Sequence, residues 1–166
     1  SVNSGCEGLS VDFSDLTTNN PNTFLWDFGD GGTSILQNPM HIFDSAGVFD
    51  ITLTTSISGQ CATTVNFPDE IEVFPTPIID FISDTSLGCS IPFDVTFSDN
   101  TIDAVIWSWD FGNGNMSNLQ NPLNTYNSSG VFDIILSVVN NDGCISSVAF
   151  SDYIRVEESP TVNLSA

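Results

Sequence analysis

The chain has 166 residues, 40% of them hydrophobic and including 13 Phe and 3 Trp, which is enough apolar material for one large core or two small ones. Its charge is lopsided: 21 acidic residues stand against a single Arg155 and no lysine, for a net charge of -20. A surface of that sign repels phosphate backbones and anionic head groups, and no run approaches the roughly 18 apolar residues of a membrane span, so nucleic acid and direct membrane insertion are excluded as expected partners.

Taken in chain order, Val11 and Phe13 alternate with polar residues and read as a strand with one buried side. An Asn/Pro-rich loop leads to Trp26-Asp27-Phe28-Gly29-Asp30-Gly31, where period-two alternation predicts a core strand and the Gly-Asp-Gly run predicts a tight turn closing it. Asn38-Pro39 turns the chain into His41-Ile42-Phe43, and Ala46-Gly47 turns it into Phe49, Ile51 and Leu53, the longest alternating run. A Ser58-Gly59 hairpin follows, and the stretch from Cys61 to Val73 returns with a break expected at Pro68. No segment shows a helical period. Short strands separated by frequent turn signals predict an all-β sandwich.

The plan then recurs. Gly5-Cys6, Trp26, Gln37-Asn38-Pro39, Val48-Phe49-Asp50-Ile51 and Cys61 reappear, all at one constant offset, as Gly88-Cys89, Trp109, Gln120-Asn121-Pro122, Val131-Phe132-Asp133-Ile134 and Cys144. The turn recurs as Asp110-Phe111-Gly112-Asn113-Gly114, and Phe132, Ile134, Leu136 and Val138 are expected inward. Val11 to Asp15 match Val95 to Asp99 with the offset longer by a single position, so the following loop absorbs the difference; within a strand such a slip would turn every side chain to the other face. Asp80-Phe81-Ile82-Ser83 reads as a first strand of the second repeat with no equivalent in the first, and Asn163-Leu164-Ser165 falls at its phase. The expected organisation is therefore repeat one at 1–77, lacking its first strand, repeat two at 78–161, and the start of a third repeat at 162–166, two periods of a longer array. The proline-bearing connection Phe74-Pro75-Thr76-Pro77 is expected to be extended and semi-rigid, giving a rod.

Tryptophan-Asp-Phe-Gly-Asp-Gly, then Asn-Pro-x-His-x-Phe, then Gly-Val-Phe-Asp-Ile-Thr-Leu, in an order that recurs in the second repeat with Asn113 for the second Asp and Asn124 in place of His41, resembles the PKD domain, an immunoglobulin-like β-sandwich. The resemblance implies two tandem PKD sandwiches. The variant with Gly-Cys before the second strand and a cysteine after the late hairpin resembles repeats of very large exported adhesins of gliding Bacteroidetes-type bacteria. That resemblance implies an extracellular, cell-surface location, neighbouring repeats as partners, and spacing, display or adhesion to a surface rather than catalysis. The alternative it carries is a polysaccharide-binding accessory module attached to a secreted hydrolase.

Four cysteines in such a chain argue for disulfides, and the spacing fits no zinc site. Equal spacing suggests Cys6–Cys61 and Cys89–Cys144. In the immunoglobulin-like wind that the resemblance implies, however, those positions lie at opposite poles, farther apart than the roughly 6.8 Å that bridged Cα atoms tolerate. Cys6–Cys144 between repeats is therefore the favoured expectation, leaving Cys61 and Cys89 for neighbouring repeats, with the within-repeat pairs as the alternative.

Side chains that carry chemistry are sparse. His41 is the only histidine and has Asn124 as its counterpart, so it is expected to hydrogen-bond locally; Arg155 is expected to balance the acids around it. No cofactor is expected apart from calcium, for which Asp15, Asp27, Asp30, Asp99 and Asp110 are the candidate carboxylates, set against the simpler reading that they cap their own turns. Trp107 extends the row of Trp109 and is expected at the core or its rim, while Ile135 and Val139 point to the opposite face. Asn115, Asn127 and Asn163 begin glycosylation sequons, and Ser45 in Asp44-Ser45-Ala46 is a candidate O-glycosylation site in a turn.

Overall fold

A computed structural model describes residues 3–58 and 60–164. The chain divides into two compact units, Ser1–Pro75 and Thr76–Ala166. Among the described residues there is no helix, and so none long and apolar enough to cross a membrane.

Unit 1 contains β1 (Ser4–Cys6), β2 (Leu9–Asp12), β3 (Thr23–Asp27), β4 (Thr33–Ser34), β5 (Met40–Phe43), β6 (Gly47–Ile57) and β7 (Gln60–Phe74). They form a five-stranded sheet in the order β1-β7-β6-β3-β4 and a two-stranded sheet β2-β5. Alternation along β3 and β6 places Trp26, Ile51 and Leu53 on the inner face, where they meet Val11, Phe28, Phe43, Ile71 and Val73.

Unit 2 contains β8 (Phe81–Ser83), β9 (Leu87–Gly88), β10 (Phe93–Asp99), β11 (Ala104–Asp110), β12 (Met116–Ser117), β13 (Leu123–Tyr126), β14 (Gly130–Asn140) and β15 (Ile145–Val156). Its larger sheet, β12-β11-β14-β15-β9, repeats that of unit 1 strand for strand, down to the parallel pairing of the short β9 with β15 that mirrors β1 with β7. Its smaller sheet has three strands, β13-β10-β8. The extra one is β8, which has no counterpart among the described residues of unit 1. Of the expected inward row, Ile134, Leu136 and Val138 are each 0% exposed and Phe132 is partly buried against the same core.

One expectation is corrected. The chain does not break at Pro68: β7 runs unbroken from Gln60 to Phe74, and its register against β6 shifts between Phe49 and Ile51. Proline is accommodated because the ladder is already interrupted there by a bulge, with Asp69 at φ 50°. The bulge is held from across the hairpin, where Asp50 Oδ1 accepts the Asp69 amide at 2.9 Å. Unit 2 repeats the device without a proline: Asp133 Oδ1 accepts the Asp152 amide at 2.8 Å, and Asp152 has φ 55°. Of the expected hairpin Ser58-Gly59, Gly59 lies outside the described residues, as do Ser165 and Ala166 of the expected third repeat.

Candidate functional site: the repeated turn, the cysteines and an open groove

Each repeated Trp-Asp-Phe-Gly motif delivers two rings to a core and then reverses the chain. Trp26 and Phe28 are 4% and 1% exposed, Trp109 and Phe111 0% and 1%. Both indoles keep a polar partner, Trp26 Nε1 donating to the Leu36 carbonyl and Trp109 Nε1 to the Leu119 carbonyl, each at 3.0 Å. Past the strand, Asp27 Oδ1 accepts the Gly29 amide and Asp110 Oδ1 the Gly112 amide. Gly29 and Gly112 sit at φ 79° and 70°, and a Cβ on either would stand 2.6 Å from the carbonyl oxygen of Asp50 or Asp133. Glycine is required there by both backbone conformation and space.

The second half of the turn differs between units in a coordinated way. In unit 1, His41 Nε2 lies 2.7 Å from Asp30 Oδ2, and its ring stacks on Phe28 with centroids 4.0 Å apart. Partial burial pushes the Asp30 carboxyl up, but hydrogen bonds from His41 and the Gly32 amide outweigh that and hold it below its ordinary value of 3.8. In unit 2 both partners are amides: Asn113 donates to the Thr125 carbonyl, and Asn124 accepts from Asn115 at 2.8 Å. A histidine–carboxylate hydrogen bond and an amide set thus occupy the same place in the fold. His41 is a local structural partner of the turn, as its residue context suggests.

The remaining candidate carboxylates are also engaged close to home. Asp15 accepts from the Thr17 amide and from Gln37, while Asp99 accepts from the Thr101 amide and, at 2.7 Å, from Trp107 Nε1. Among the described residues no three His, Cys, Asp or Glu side chains come together as a cation cage. Trp107 is half-buried against the core of unit 2. Arg155 Nε lies 2.6 Å from Glu157 Oε1 on the surface. Ile135 is 38% exposed on the outer face, and Ser45 is exposed in a bend between β5 and β6.

The cysteines separate into two kinds. Cys6 and Cys144 are each disulfide-bonded, whereas Cys61 and Cys89 are free and exposed. This overturns the within-repeat alternative, since Cys6–Cys61 and Cys89–Cys144 each require one of the two free thiols.

A concave apolar surface that residue-by-residue reading misses lies in unit 1. A hollow of about 540 Å³ is walled by Val11, Phe13, Trp26, Phe67 and Ile71, and an adjoining one of about 430 Å³ shares Trp26 and Phe67 with it. Its walls come from residues far apart along the chain, Val11, Trp26, Phe67 and Ile71, so no single stretch of sequence announces it.

Two such two-layer sandwiches, each with a buried Trp and a short edge strand paired in parallel, define an immunoglobulin-like class of module. The PKD domain model matches residues 1–73 and again 74–156, and the chain belongs to the PKD domain family. PKD domains are non-catalytic modules that occur in extracellular and secreted proteins. Over 64 residues the chain is 39% identical to a microbial collagenase of Vibrio alginolyticus, a match covering 36% of this chain and 8% of the collagenase. Among solved structures it is similar to the PKD1 domain of Vibrio anguillarum Epp, at 25% identity and TM-score 0.42, covering 51% of this chain and 96% of that one. It is also similar to the PKD1 domain of the Vibrio cholerae metalloprotease PrtV, at 23% identity and TM-score 0.41, covering 49% and 98%.

Proposed function

We propose that the chain is a structural and adhesive spacer: two PKD modules from a long, repetitive cell-surface adhesin filament of the kind used in surface attachment or gliding, with no catalytic role. The observation that carries this reading is the recurrence of one core-building plan at a constant offset, from Trp26 to Trp109 and from Cys61 to Cys144 alike, joined to the pattern of cysteine oxidation. In this reading Cys6 bridges Cys144, tying repeat to repeat, and the exposed thiols Cys61 and Cys89 serve the same tie to the repeats on either side. Such ties restrict the unfolded and partly opened chain and so stiffen a filament under load. The acidic surface keeps neighbouring filaments apart.

The second reading, a polysaccharide-binding accessory module of a secreted hydrolase, is favoured by the 39% identity to part of a Vibrio alginolyticus collagenase. Incubation with chitin, cellulose and agarose separates the two. A spacer stays in the supernatant on all three; retention on any one, released by the soluble oligosaccharide, supports the accessory module. Peptide mapping without reduction tests the tie: a Cys6–Cys144 peptide is expected, and any disulfide peptide joining Cys6 to another cysteine contradicts it.

A further inference from the structure

The turn that closes each core strand keeps its backbone between units and changes its chemistry. After Phe-Gly comes Asp30 in unit 1 and Asn113 in unit 2. Each is followed by a glycine, Gly31 at φ 94° or Gly114 at φ 89°, with nothing within 4 Å of where a Cβ would stand. Asn113-Gly114 is the one Asn-Gly pair in the chain. In such a pair the next backbone nitrogen reaches the side-chain carbonyl carbon with least obstruction, because glycine brings no Cβ beside it. Asn3 and Asn127 precede serines, Ser4 and Ser128, whose side chains flank the same nitrogen.

The turn of unit 2 prepares that approach from both sides. The Asn115 amide donates to Asn113 Oδ1 at 3.1 Å, which folds the carboxamide back across the Gly114 peptide. The same N–H faces the oxygen on which negative charge builds when Cγ becomes tetrahedral, so it acts as a preorganised donor for the addition. At the other end of the carboxamide, Asn113 Nδ2 donates to the Thr125 carbonyl at 3.1 Å and is held toward β13. The Gly114 amide makes no hydrogen bond among the described residues. Its nitrogen therefore gives up no partner in attacking Cγ.

We infer that Asn113 is a modification site, at which water converts the amide to an acid through a cyclic imide. Gly114 N attacks Asn113 Cγ and forms a new C–N bond, the Cγ–Nδ2 bond breaks, and Nδ2 leaves as ammonia with the proton that Gly114 N gives up. Water then adds to either carbonyl of the imide and opens it, to an aspartyl residue or to an isoaspartyl one whose chain runs through the side chain. Unit 1 holds a carboxylate at this place, Asp30 beside His41, and an ionised carboxylate resists the same attack. The change therefore belongs to unit 2, which carries a one-way step from amide to acid in the turn that closes its core strand. It stands on the turn alone and does not rest on the spacer reading.

Incubation of the folded, oxidised chain in mildly alkaline buffer beside a urea-unfolded sample, followed by mass mapping of peptic peptides, tests the inference. When the unfolded sample is half converted at Asn113, the folded chain is expected to have converted there at least as far. Its products are expected to resolve into aspartyl and isoaspartyl forms, with Asn3 and Asn127 still amides. Asn113→Gln, which would have to close a larger ring, and Gly114→Ala, which sets a methyl group beside the attacking nitrogen, are each expected to lose the conversion while thermal melts show them folded. Hydroxylamine, which traps the cyclic imide, is expected to cut the wild-type chain between Asn113 and Gly114 and to leave Asn113→Gln whole. A folded chain that keeps its amide while the unfolded sample converts overturns the inference, and so does conversion of Asn3 or Asn127 ahead of Asn113.

Discussion

At the scale of single residues, the two units act as controls for one another. Gly29 and Gly112 each face a carbonyl oxygen 2.6 Å from where a Cβ would be, whereas the neighbouring Gly31 and Gly114 meet nothing within 4 Å. Gly29→Ala is therefore expected to cost on the order of 1–3 kcal/mol of unit 1 stability, since it combines strain at positive φ with a clash against backbone. Gly31→Ala carries the strain without the clash and costs less; urea denaturation of the two variants, compared at equal m-value, checks the order. Asp30 gives a pH prediction. Its carboxyl titrates below its ordinary value in the folded state, so its contribution is present above the unfolded value near 3.8 and is lost as pH falls through the lowered folded one. Asp30→Asn should flatten that acid limb, as followed by thermal melts between neutral pH and about pH 2. The presence of Asn113 and Asn124 at the same places in unit 2 shows that the fold tolerates the amide.

Among the strands, the bulges of β7 and β15 rest on one side chain each. Asp133→Ala leaves the Asp152 amide without the carboxylate that accepts it at 2.8 Å, which should destabilise unit 2 by about 1–3 kcal/mol and speed amide exchange at Asp152 more than at Val138. Unchanged exchange there would mean the bulge holds itself. Sequence reading reached its limit at the same feature. Period two located Trp26, Ile51, Ile134 and Leu136 on the inner face because each of those strands is half-buried and regular. It misjudged Pro68, because an isolated proline signals interruption whether the strand ends or bulges. The carboxylate that decides between the two, Asp50, lies well back along the chain, on the paired strand β6. Likewise the turn acids were legible as local caps from Asp-x-Gly spacing, while the groove of unit 1 was not, since its walls, Val11, Trp26, Phe67 and Ile71, are brought together only by the fold.

For the whole molecule, the constant offset between matching motifs made the tandem organisation and the PKD family visible, because loops absorbed the single length change and the strands kept register. Spacing alone misleads about the cysteines, since it suggests within-repeat pairs that the free Cys61 and Cys89 exclude; the opposite poles of the immunoglobulin-like wind implied by the family resemblance point instead to Cys6 and Cys144 as the oxidised pair, and these are the two that are disulfide-bonded. The spacer reading makes a claim about shape that scattering addresses directly. A compact globule of 166 residues has a radius of gyration of about 15 Å. Two units of half that size set end to end, each about as long as an 11-residue strand such as β6, give a value above roughly 20 Å. Small-angle X-ray scattering of the oxidised chain is therefore predicted to return the larger value and an elongated distance distribution, broadening when Cys6 and Cys144 are reduced. A value near the compact one, unchanged by reduction, would contradict the account.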